Sequence, residues 1–190
     1  AIVSGEWRVA SGEKDGRLLA VPDTFKALQG LGRYARNRSK AKFIGVTGSV
    51  GKTSTKEMLK LALATGHWPL ATYATQGNLN NHFGVPLTLA NLPLDAEYAI
   101  IEMGMNHAGE IAPLSAMARP DIALITAVEA VHLEFFKDVL AIADAKLEVC
   151  AGLPPPLAGE GWGGGTNERI APERSPLPTP PRQGGVGPAP

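Results

Sequence analysis

The sequence predicts an α/β domain, in which a parallel sheet has helices on both faces, followed by a disordered tail rich in proline and glycine. Short apolar runs alternate with helical stretches over residues 41–153, an alternation typical of parallel sheets. A loop of glycines and a lysine joins the first run to a helix, as in folds that bind phosphate. The composition changes abruptly after residue 153.

Composition excludes several classes of protein. The 190 residues include 18 lysines plus arginines and 18 aspartates plus glutamates, so no overall charge attracts nucleic acid or an anionic membrane. No apolar run approaches the roughly 20 residues that span a bilayer, and the first residues lack a signal-peptide pattern. The single cysteine, Cys150, excludes an internal disulfide and fits a reducing compartment. We therefore expect a cytoplasmic protein, and a monomer.

Residues 1–40 precede the alternating region. Apolar side chains recur every three positions from Phe25 to Tyr34, which predicts a helix that begins at Asp23 or Thr24. A group of basic side chains either contacts phosphates or forms a solvated helix face or linker, and the second alternative is favoured: Arg33, Arg36, Arg38, Lys40 and Lys42.

The region 41–153 supplies the sheet and its helices. The runs FIGVTG, AIIEMG and DIALITAV predict buried strands. Helices are predicted over residues 52–65, 81–91, 109–118 and 138–152. Ligands of such sheets bind at the carboxyl ends of the strands, so the polar motifs that follow the strands are the candidate site.

Residues 154–190 form the tail. About half of them are proline or glycine, and without periodic apolar residues they cannot offset the entropy of ordering. We expect this tail to be disordered. A frameshift or translated repeat DNA in place of the authentic C-terminal part would account for its composition.

The most specific motif is the phosphate loop, TGSVGKTS, at residues 47–54. Its glycines let backbone N–H groups surround phosphate oxygens, and the helix that follows adds a positive dipole. The lysine is expected to reach the β- and γ-phosphates and the threonine to bind Mg²⁺. An ordinary glycine turn is the alternative, which the register of strand, loop and helix disfavours. The predicted nucleotide contacts are Gly48, Ser49, Val50, Gly51, Lys52, Thr53 and Ser54.

Three further residues are candidates for the chemistry. Glu102 ends AIIEMG, where a carboxylate can hold Mg²⁺ or cap and pair instead. His132 follows DIALITAV and is equally a metal ligand or a structural histidine. Lys146 lies among small residues of the last helix, where burial would lower its pKa. The residues alone favour a lysine that reaches solvent beside Asp144 and Glu148.

Two polar segments remain ambiguous. The loop GNLNNHFG contains Asn78, Asn80 and Asn81, which could hold a polar substrate or serve as turn and cap residues. Asn106 and His107 could likewise bind a ligand or simply start the helix predicted at 109–118.

Four segments resemble, in order, the motifs of the Mur ligase family: TGSVGKTSTKEML, GNLNNHFGVPLTLANL, EMGMNHAGEI and HLEFFKDVLAIADAKLEV. The resemblance covers about residues 17–153. The segment VEAV before His132 departs from the glycine-containing turn expected there. The resemblance implies that residues 1–40 are a remnant of the N-terminal substrate-binding domain and linker. Residues 41–153 would be an incomplete central ATP-binding domain, with the C-terminal ligase domain absent and residues 154–190 in its place.

The resemblance assigns roles to individual residues. It implies that Glu102 and His132 are metal positions and that Thr53 is the hydroxyl that binds Mg²⁺. Lys146 falls where the family has a lysine carbamylated by CO₂, which supports a second Mg²⁺. Lys52, His132 and Lys146 would serve catalysis, and the three asparagines would face the nucleotide-sugar peptide.

The implied function is an ADP-forming amide ligase of peptidoglycan precursor synthesis. ATP would phosphorylate the terminal carboxylate of UDP-N-acetylmuramoyl-tripeptide, and the amine of D-alanyl-D-alanine would attack the acyl phosphate, with two Mg²⁺ neutralising charge. Another P-loop kinase or NTPase is one alternative, against which the single arginine between residues 39 and 168, Arg119, counts. The other is a non-catalytic remnant that at most binds Mg-ATP.

Overall fold

The computed structural model describes residues 2–4, 19–65, 70–131 and 133–155. His132 and residues 156–190 lie outside the described residues, so the role predicted for the histidine and the disorder predicted for the tail stay predictions. The described residues form one compact unit.

Two short strands and a helix begin the unit. Strands β1 (Ile2–Ser4) and β2 (Leu19–Val21) pair in parallel as a two-stranded sheet. Helix α1 (Thr24–Arg38) follows, and the Asp23 carboxylate caps it by accepting a hydrogen bond from the Lys26 N–H at 2.9 Å. The helix predicted to begin at Asp23 or Thr24 is confirmed.

The main sheet has four parallel strands in the order β4–β5–β3–β6. Three of them confirm the strands predicted from FIGVTG, AIIEMG and DIALITAV. The fourth, β4, is not among the predicted runs because its three residues, TYA, are too few to show a pattern. The bounds are β3 Lys42–Thr47, β4 Thr72–Ala74, β5 Tyr98–Glu102 and β6 Ile122–Ile125.

The helices confirm the predicted alternation but differ at their ends. The prediction of 52–65 matches α2, whereas 81–91 and 109–118 begin too early, and 138–152 divides into an α-helix and a 3₁₀ turn. No described helix combines the length and apolar character needed to cross a membrane. The bounds are α2 Lys52–Thr65, α3 Gly84–Ala90, α4 Ile111–Ala118, α5 Val139–Leu147 and the 3₁₀ turn Glu148–Gly152.

Side chains of the sheet alternate between two apolar layers. Phe43 and Ile101 point into a large cluster with residues of α3, α4 and the 3₁₀ turn. Their neighbours Ile44 and Ile100 point into a smaller cluster on the opposite face, against α2. Both faces of the sheet are therefore covered, which explains why its strands are almost continuously apolar and confirms the predicted fold class.

Helix α1 packs against α3 and the end of α4. Gly32 allows the close approach, because a Cβ there would lie 2.9 Å from the Pro86 oxygen. The Arg36 guanidinium donates to the Ala118 and Arg119 carbonyls and lies 3.9 Å from the centre of the Phe43 ring. These contacts join residues before position 40 to residues after it. The domain boundary predicted at position 40 stays a prediction.

The basic cluster differs from the solvated face that was favoured. Besides Arg36, the Arg38 guanidinium donates to the Leu92 carbonyl at 3.2 Å. Lys42 pairs with Asp121 at 3.3 Å. Three of the five basic side chains are thus engaged within the protein: Arg36 and Arg38 because α1 packs on the domain, and Lys42 because β3 lies beside β6, which Asp121 precedes.

Candidate functional site

The candidate site lies at the carboxyl edge of the main sheet, where β3 and β5 end side by side. Val46 of β3 is in register with Glu102 of β5, so the phosphate loop after β3 and the carboxylate that ends β5 are neighbours. Helix α2 begins at Lys52 with its first turn directed at the same edge. Parallel pairing therefore brings together Thr53 and Glu102, which are 49 positions apart in the chain.

The phosphate loop has a backbone that requires glycine. Gly48 has φ +152° and Gly51 has φ +81°, and a Cβ at Gly48 would overlap with the Thr126 Oγ1. That hydroxyl donates to the Val50 carbonyl at 2.6 Å and to the Thr47 carbonyl at 3.3 Å. Thr126, a hydroxyl residue just after β6, thus fixes the loop, a role that sequence analysis missed.

The segment VEAV, which departs from the family pattern, also contacts the phosphate loop. The Ser49 N–H donates to the carbonyl of Ala127, the residue just before VEAV, at 2.8 Å. The Ser49 hydroxyl donates to the Glu129 carbonyl at 3.2 Å and accepts from the Glu129 N–H at 2.9 Å. On the VEAV side these bonds use only main-chain atoms, so the unexpected side chains do not prevent them.

Lys52 lies inside the loop that precedes it. Its Nζ donates to the Gly48 carbonyl at 2.7 Å and to the Ser49 carbonyl at 3.3 Å. Burial lowers the pKa of Lys52, and the charge of the Glu102 carboxylate opposes this shift. The ammonium is therefore held at the opening of the loop, where it can meet phosphate oxygens.

Glu102 is the centre of a buried polar cluster and is 1% exposed. Its carboxylate accepts from the Thr53 hydroxyl at 3.1 Å and from the Asn80 amide at 2.8 Å. Its main-chain N–H donates to the Thr75 hydroxyl at 3.0 Å. The structure thus brings together three predicted site residues. The carboxylate does not cap a helix, but it does form the ion pair that was the other alternative, with Lys56 at 3.6 Å.

Lys56 completes the cluster, and sequence analysis missed it. The side chain is 0% exposed, and its Nζ donates to the Thr75 carbonyl at 2.7 Å and to the Gly77 carbonyl at 2.9 Å. It also lies 3.6 Å from a Glu102 oxygen. The available signal was its position one turn after Lys52, which places it on the helix face that packs on the sheet.

Residues 77–83 are called the asparagine loop below. The sequence left open whether its asparagines contact a ligand or serve as turn and cap residues, and the structure places them differently from one another. Asn80 binds Glu102, and its carbonyl accepts from the Gly104 N–H at 2.8 Å. The Asn81 carboxamide oxygen accepts from the Phe83 and Gly84 N–H groups instead. These bonds form a turn at residues 81–84 that leads into α3, where the predicted helix 81–91 was expected to have its first turn. Asn78 is exposed.

Lys146 is buried rather than extended to solvent. The side chain is 2% exposed, and burial together with the charge of Lys52 lowers its pKa to about 8. It forms no ion pair with any other described residue. The favoured expectation of a solvent-reaching lysine is wrong, because Ile142 and Ala145 on the same face pack inward and take Lys146 with them.

Glu148 does not pair with Lys146. Its carboxylate accepts from the main-chain N–H groups of Gly109, Ile111 and Ala112 at 2.6–3.1 Å. It therefore caps α4 from a distant part of the chain, and α4 begins at Ile111 without a cap from Asn106 or His107. Those two residues instead bind the Glu110 carboxylate at 2.7 and 3.1 Å.

Two adjacent cavities open beside the cluster. The smaller, about 260 Å³, is lined by Lys52, Asn80 and the segment 104–106. The larger, about 460 Å³, extends from there to α1. The cavities share three lining residues, so together they could receive an elongated ligand that reaches from the phosphate loop: Asn81, Gly104 and Glu110.

The donor set fits Mg²⁺ held together with phosphate. The Thr53 hydroxyl and the Glu102 carboxylate are hard oxygen ligands that lie 3.1 Å apart. No group of three or more histidine, cysteine or acidic side chains among the described residues could form a complete metal cage. Mg²⁺ commonly uses one or two protein oxygens plus phosphate and water, so this pair is sufficient.

Comparison with known proteins agrees with the fold. The profile of the Mur ligase middle domain matches residues 46–158. The UDP-N-acetylmuramoyl-tripeptide–D-alanyl-D-alanine ligase of Rickettsia prowazekii is 46% identical over 142 residues, which cover 75% of this chain and 31% of that protein. The ligase of the same name from Escherichia coli is 44% identical over 137 residues, covering 72% and 29%.

Solved structures show the same similarity. MurF from Acinetobacter baumannii has a TM-score of 0.66 and 41% identity, covering 73% of this chain and 30% of that one. MurF ligase from Thermotoga maritima, in complex with ADP, has a TM-score of 0.64 and 33% identity, covering 74% and 32%. The chain thus spans about three-tenths of the length of these relatives. Since the middle-domain profile matches more than half of the chain, the protein belongs to the Mur ligase family.

Proposed function

We propose that the chain is the nucleotide-binding part of an ATP-dependent ligase, which joins D-alanyl-D-alanine to UDP-N-acetylmuramoyl-tripeptide through an acyl phosphate. The observation that carries this proposal is the phosphate loop beside the Thr53 hydroxyl and the buried Glu102 carboxylate, which are hydrogen-bonded at 3.1 Å. The names of the relatives support the choice of substrates, and the ADP in the Thermotoga maritima structure supports the nucleotide. A cytoplasmic location and a monomeric state complete the proposal.

The residues of the phosphate loop would bind and orient the nucleotide. Backbone N–H groups of the loop would surround the phosphates, and the Lys52 ammonium would contact their oxygens. Thr53 and Glu102 would hold a first Mg²⁺, with His132 as a further metal position. When bound, Mg²⁺ supplies positive charge that lets a carboxylate approach the phosphate. Asn78, Asn80 and Asn81 would face the nucleotide-sugar peptide.

Lys146 suits modification by CO₂ because its pKa is lowered to about 8. A neutral amine is the form that attacks CO₂, and a lysine at its ordinary pKa is almost wholly protonated at neutral pH. The carbamate would turn a buried cation into an anion and could support a second Mg²⁺. It would also replace the repulsion between Lys146 and Lys52 by attraction.

A nucleotide kinase is a weaker alternative. Such enzymes use arginine to stabilise the transferred phosphoryl group. Arg119 lies between α4 and the start of β6, at the opposite edge of the sheet, where its guanidinium donates to the Asn37 side chain at 2.6 Å. The described residues thus bring no arginine to the phosphate loop, so the transition-state charge would fall on lysines and metal ions.

Calorimetry with ADP and Mg²⁺ tests the nucleotide site in this chain. Lys52→Ala should weaken binding at least about tenfold, since a charged hydrogen bond contributes roughly 1.5–3 kcal/mol. Lys60→Ala, an exposed lysine of the same helix, is the matched control and should bind like the parent. Equal affinity in all three proteins would refute the phosphate-loop assignment. In a longer protein with the same residues, phosphate release that needs both the tripeptide nucleotide and the dipeptide would separate a ligase from a kinase.

A further inference from the structure

A fully buried lysine lies beneath the candidate metal site. The Lys56 Nζ uses two of its three protons on the Thr75 and Gly77 carbonyls, and it lies 3.2 Å from a Glu57 oxygen and 3.6 Å from a Glu102 oxygen. A buried ammonium is unfavourable unless it is paired and hydrogen-bonded. These four contacts meet that requirement and link the asparagine loop to the Glu102 carboxylate.

The two carboxylates near Lys56 differ in their surroundings. The Glu57 side chain is 56% exposed, whereas that of Glu102 is 1% exposed. Water and salt screen the contact with Glu57, so the contact with Glu102 is the stronger electrostatic interaction despite its longer distance. Lys56 is therefore the ion-pair partner of Glu102 inside the protein.

This pairing changes what Glu102 can attract. Two lysines lie near the Glu102 carboxylate: Lys56 beneath it and Lys52 at the phosphate loop. A third, Lys146, lies near Lys52, whose positive charge helps to lower the pKa of Lys146. A free divalent cation thus meets oxygen ligands without a net negative charge. The phosphates of a nucleotide would supply the missing negative charge.

We propose that Lys56 is a positioning residue that neutralises Glu102 and fixes the start of the asparagine loop, so that the site takes a divalent cation only together with a phosphate ligand. This rests on the proposed function for the identity of the ligand. The effect on the free cation does not, because it depends only on the charges around Glu102. Lys56 would thereby prevent occupation of the site by metal alone.

Mn²⁺ is a suitable probe, because its electron paramagnetic resonance signal reports free ion directly. Without nucleotide, Lys56→Gln should bind Mn²⁺ at least about tenfold more tightly than the parent, since one positive charge close to the cation is removed. Glutamine keeps a donor for the carbonyls. Lys60→Gln makes the same change on the exposed side of α2 and should bind Mn²⁺ like the parent. Adding Glu102→Gln to Lys56→Gln should abolish the gain.

A purely structural role for Lys56 would lower stability without creating metal binding. Circular dichroism therefore checks that each variant is folded. Folded Lys56→Gln protein with the Mn²⁺ affinity of the parent would overturn the proposal. If that variant does not fold, Mn²⁺ binding to the parent protein tests the proposal instead. Tight binding of Mn²⁺ alone that disappears in Glu102→Gln would equally overturn the proposal. Binding of Mn²⁺ that needs ADP would support it.

The same measurements keep the two proposals apart. The nucleotide-free comparison of Lys56→Gln with the parent remains valid even if the chain binds no ADP, in which case only the proposed function fails. Conversely, ADP-dependent binding of Mn²⁺ in the parent, with no gain in Lys56→Gln, would leave the nucleotide site standing and refute the role of Lys56. Faster amide hydrogen exchange at residues 77–80 in Lys56→Met than in Lys60→Met would support its hold on the asparagine loop.

Discussion

Replacing Gly48 by alanine should damage the phosphate loop through two separable effects. The residue has φ +152°, a conformation that costs a non-glycine residue about 1–3 kcal/mol. Its Cβ would also overlap with the Thr126 Oγ1. Moving that hydroxyl breaks its hydrogen bonds to the Val50 and Thr47 carbonyls, which share the single hydroxyl proton and together contribute about 1 kcal/mol. We expect Gly48→Ala to lower the free energy of unfolding by about 2–4 kcal/mol.

Gly109→Ala is the matched control, because Gly109 has φ +84° but nothing lies within 4 Å of a Cβ there. It carries only the backbone strain and should lower the free energy of unfolding by about 1–3 kcal/mol. Adding Thr126→Ala to Gly48→Ala removes the overlapping oxygen. The double variant should lose less stability than the two single changes added together, since both remove the same two hydrogen bonds.

Urea unfolding followed by circular dichroism measures these differences, and calorimetry with ADP and Mg²⁺ measures the loop directly. Gly48→Ala should bind ADP much more weakly than Gly109→Ala, because only the former lies in the phosphate loop. The reasoning fails if Gly48→Ala and Gly109→Ala are equally stable, or if Gly48→Ala binds ADP like the parent. Strict additivity with Thr126→Ala would show that the overlap has no energetic consequence.

Three other expectations concern the rest of the site. In CO₂-free buffer, Lys146→Met should raise the free energy of unfolding at pH 7 by up to about 3 kcal/mol, which corresponds to a pKa lowered from 10.5 to about 8. Between these two pH values the unfolded chain holds the proton that the folded chain has lost. The gain in the free energy of unfolding, measured with urea, should therefore vanish as the pH rises from 8 towards 10.5. A gain that stays constant with pH would contradict a buried cation. Glu148→Ala should lower the free energy of unfolding by about 2–4 kcal/mol, since three N–H groups lose their acceptor. The control is Glu134→Ala, a change at an exposed glutamate, which should alter the free energy of unfolding by less than about 0.5 kcal/mol. With both ligase substrates, the 190-residue chain should release ADP at less than a tenth of the rate of a full-length relative. The reason is that orientation of the reactants contributes roughly 7–11 kcal/mol, whereas the chain spans only 31% of such a relative. Comparable rates would contradict this prediction.

Local patterns in the sequence were sufficient for the fold class and the centre of the site. A continuous apolar run next to a glycine-lysine loop and a helix is a short-range signal, so α2 was predicted to the residue, while the phosphate contacts of the loop stay a prediction. The start of α1 at Asp23 or Thr24 followed from the same kind of signal, and the structure selects Asp23 as the cap. Glu102 was found because it ends a strand, and parallel strands share one carboxyl edge.

The tertiary structure decided which polar residues act together. Lys56 is an ordinary lysine in the sequence, and only the packing of α2 on the sheet buries it against Glu102. Glu148 was expected beside Lys146, yet it caps α4, whose N–H groups lie 36–39 residues away. Such pairings depend on which elements meet at the edge of the sheet. A pattern along the chain records the periodicity of one element and carries no information about the polar group that another element brings to it.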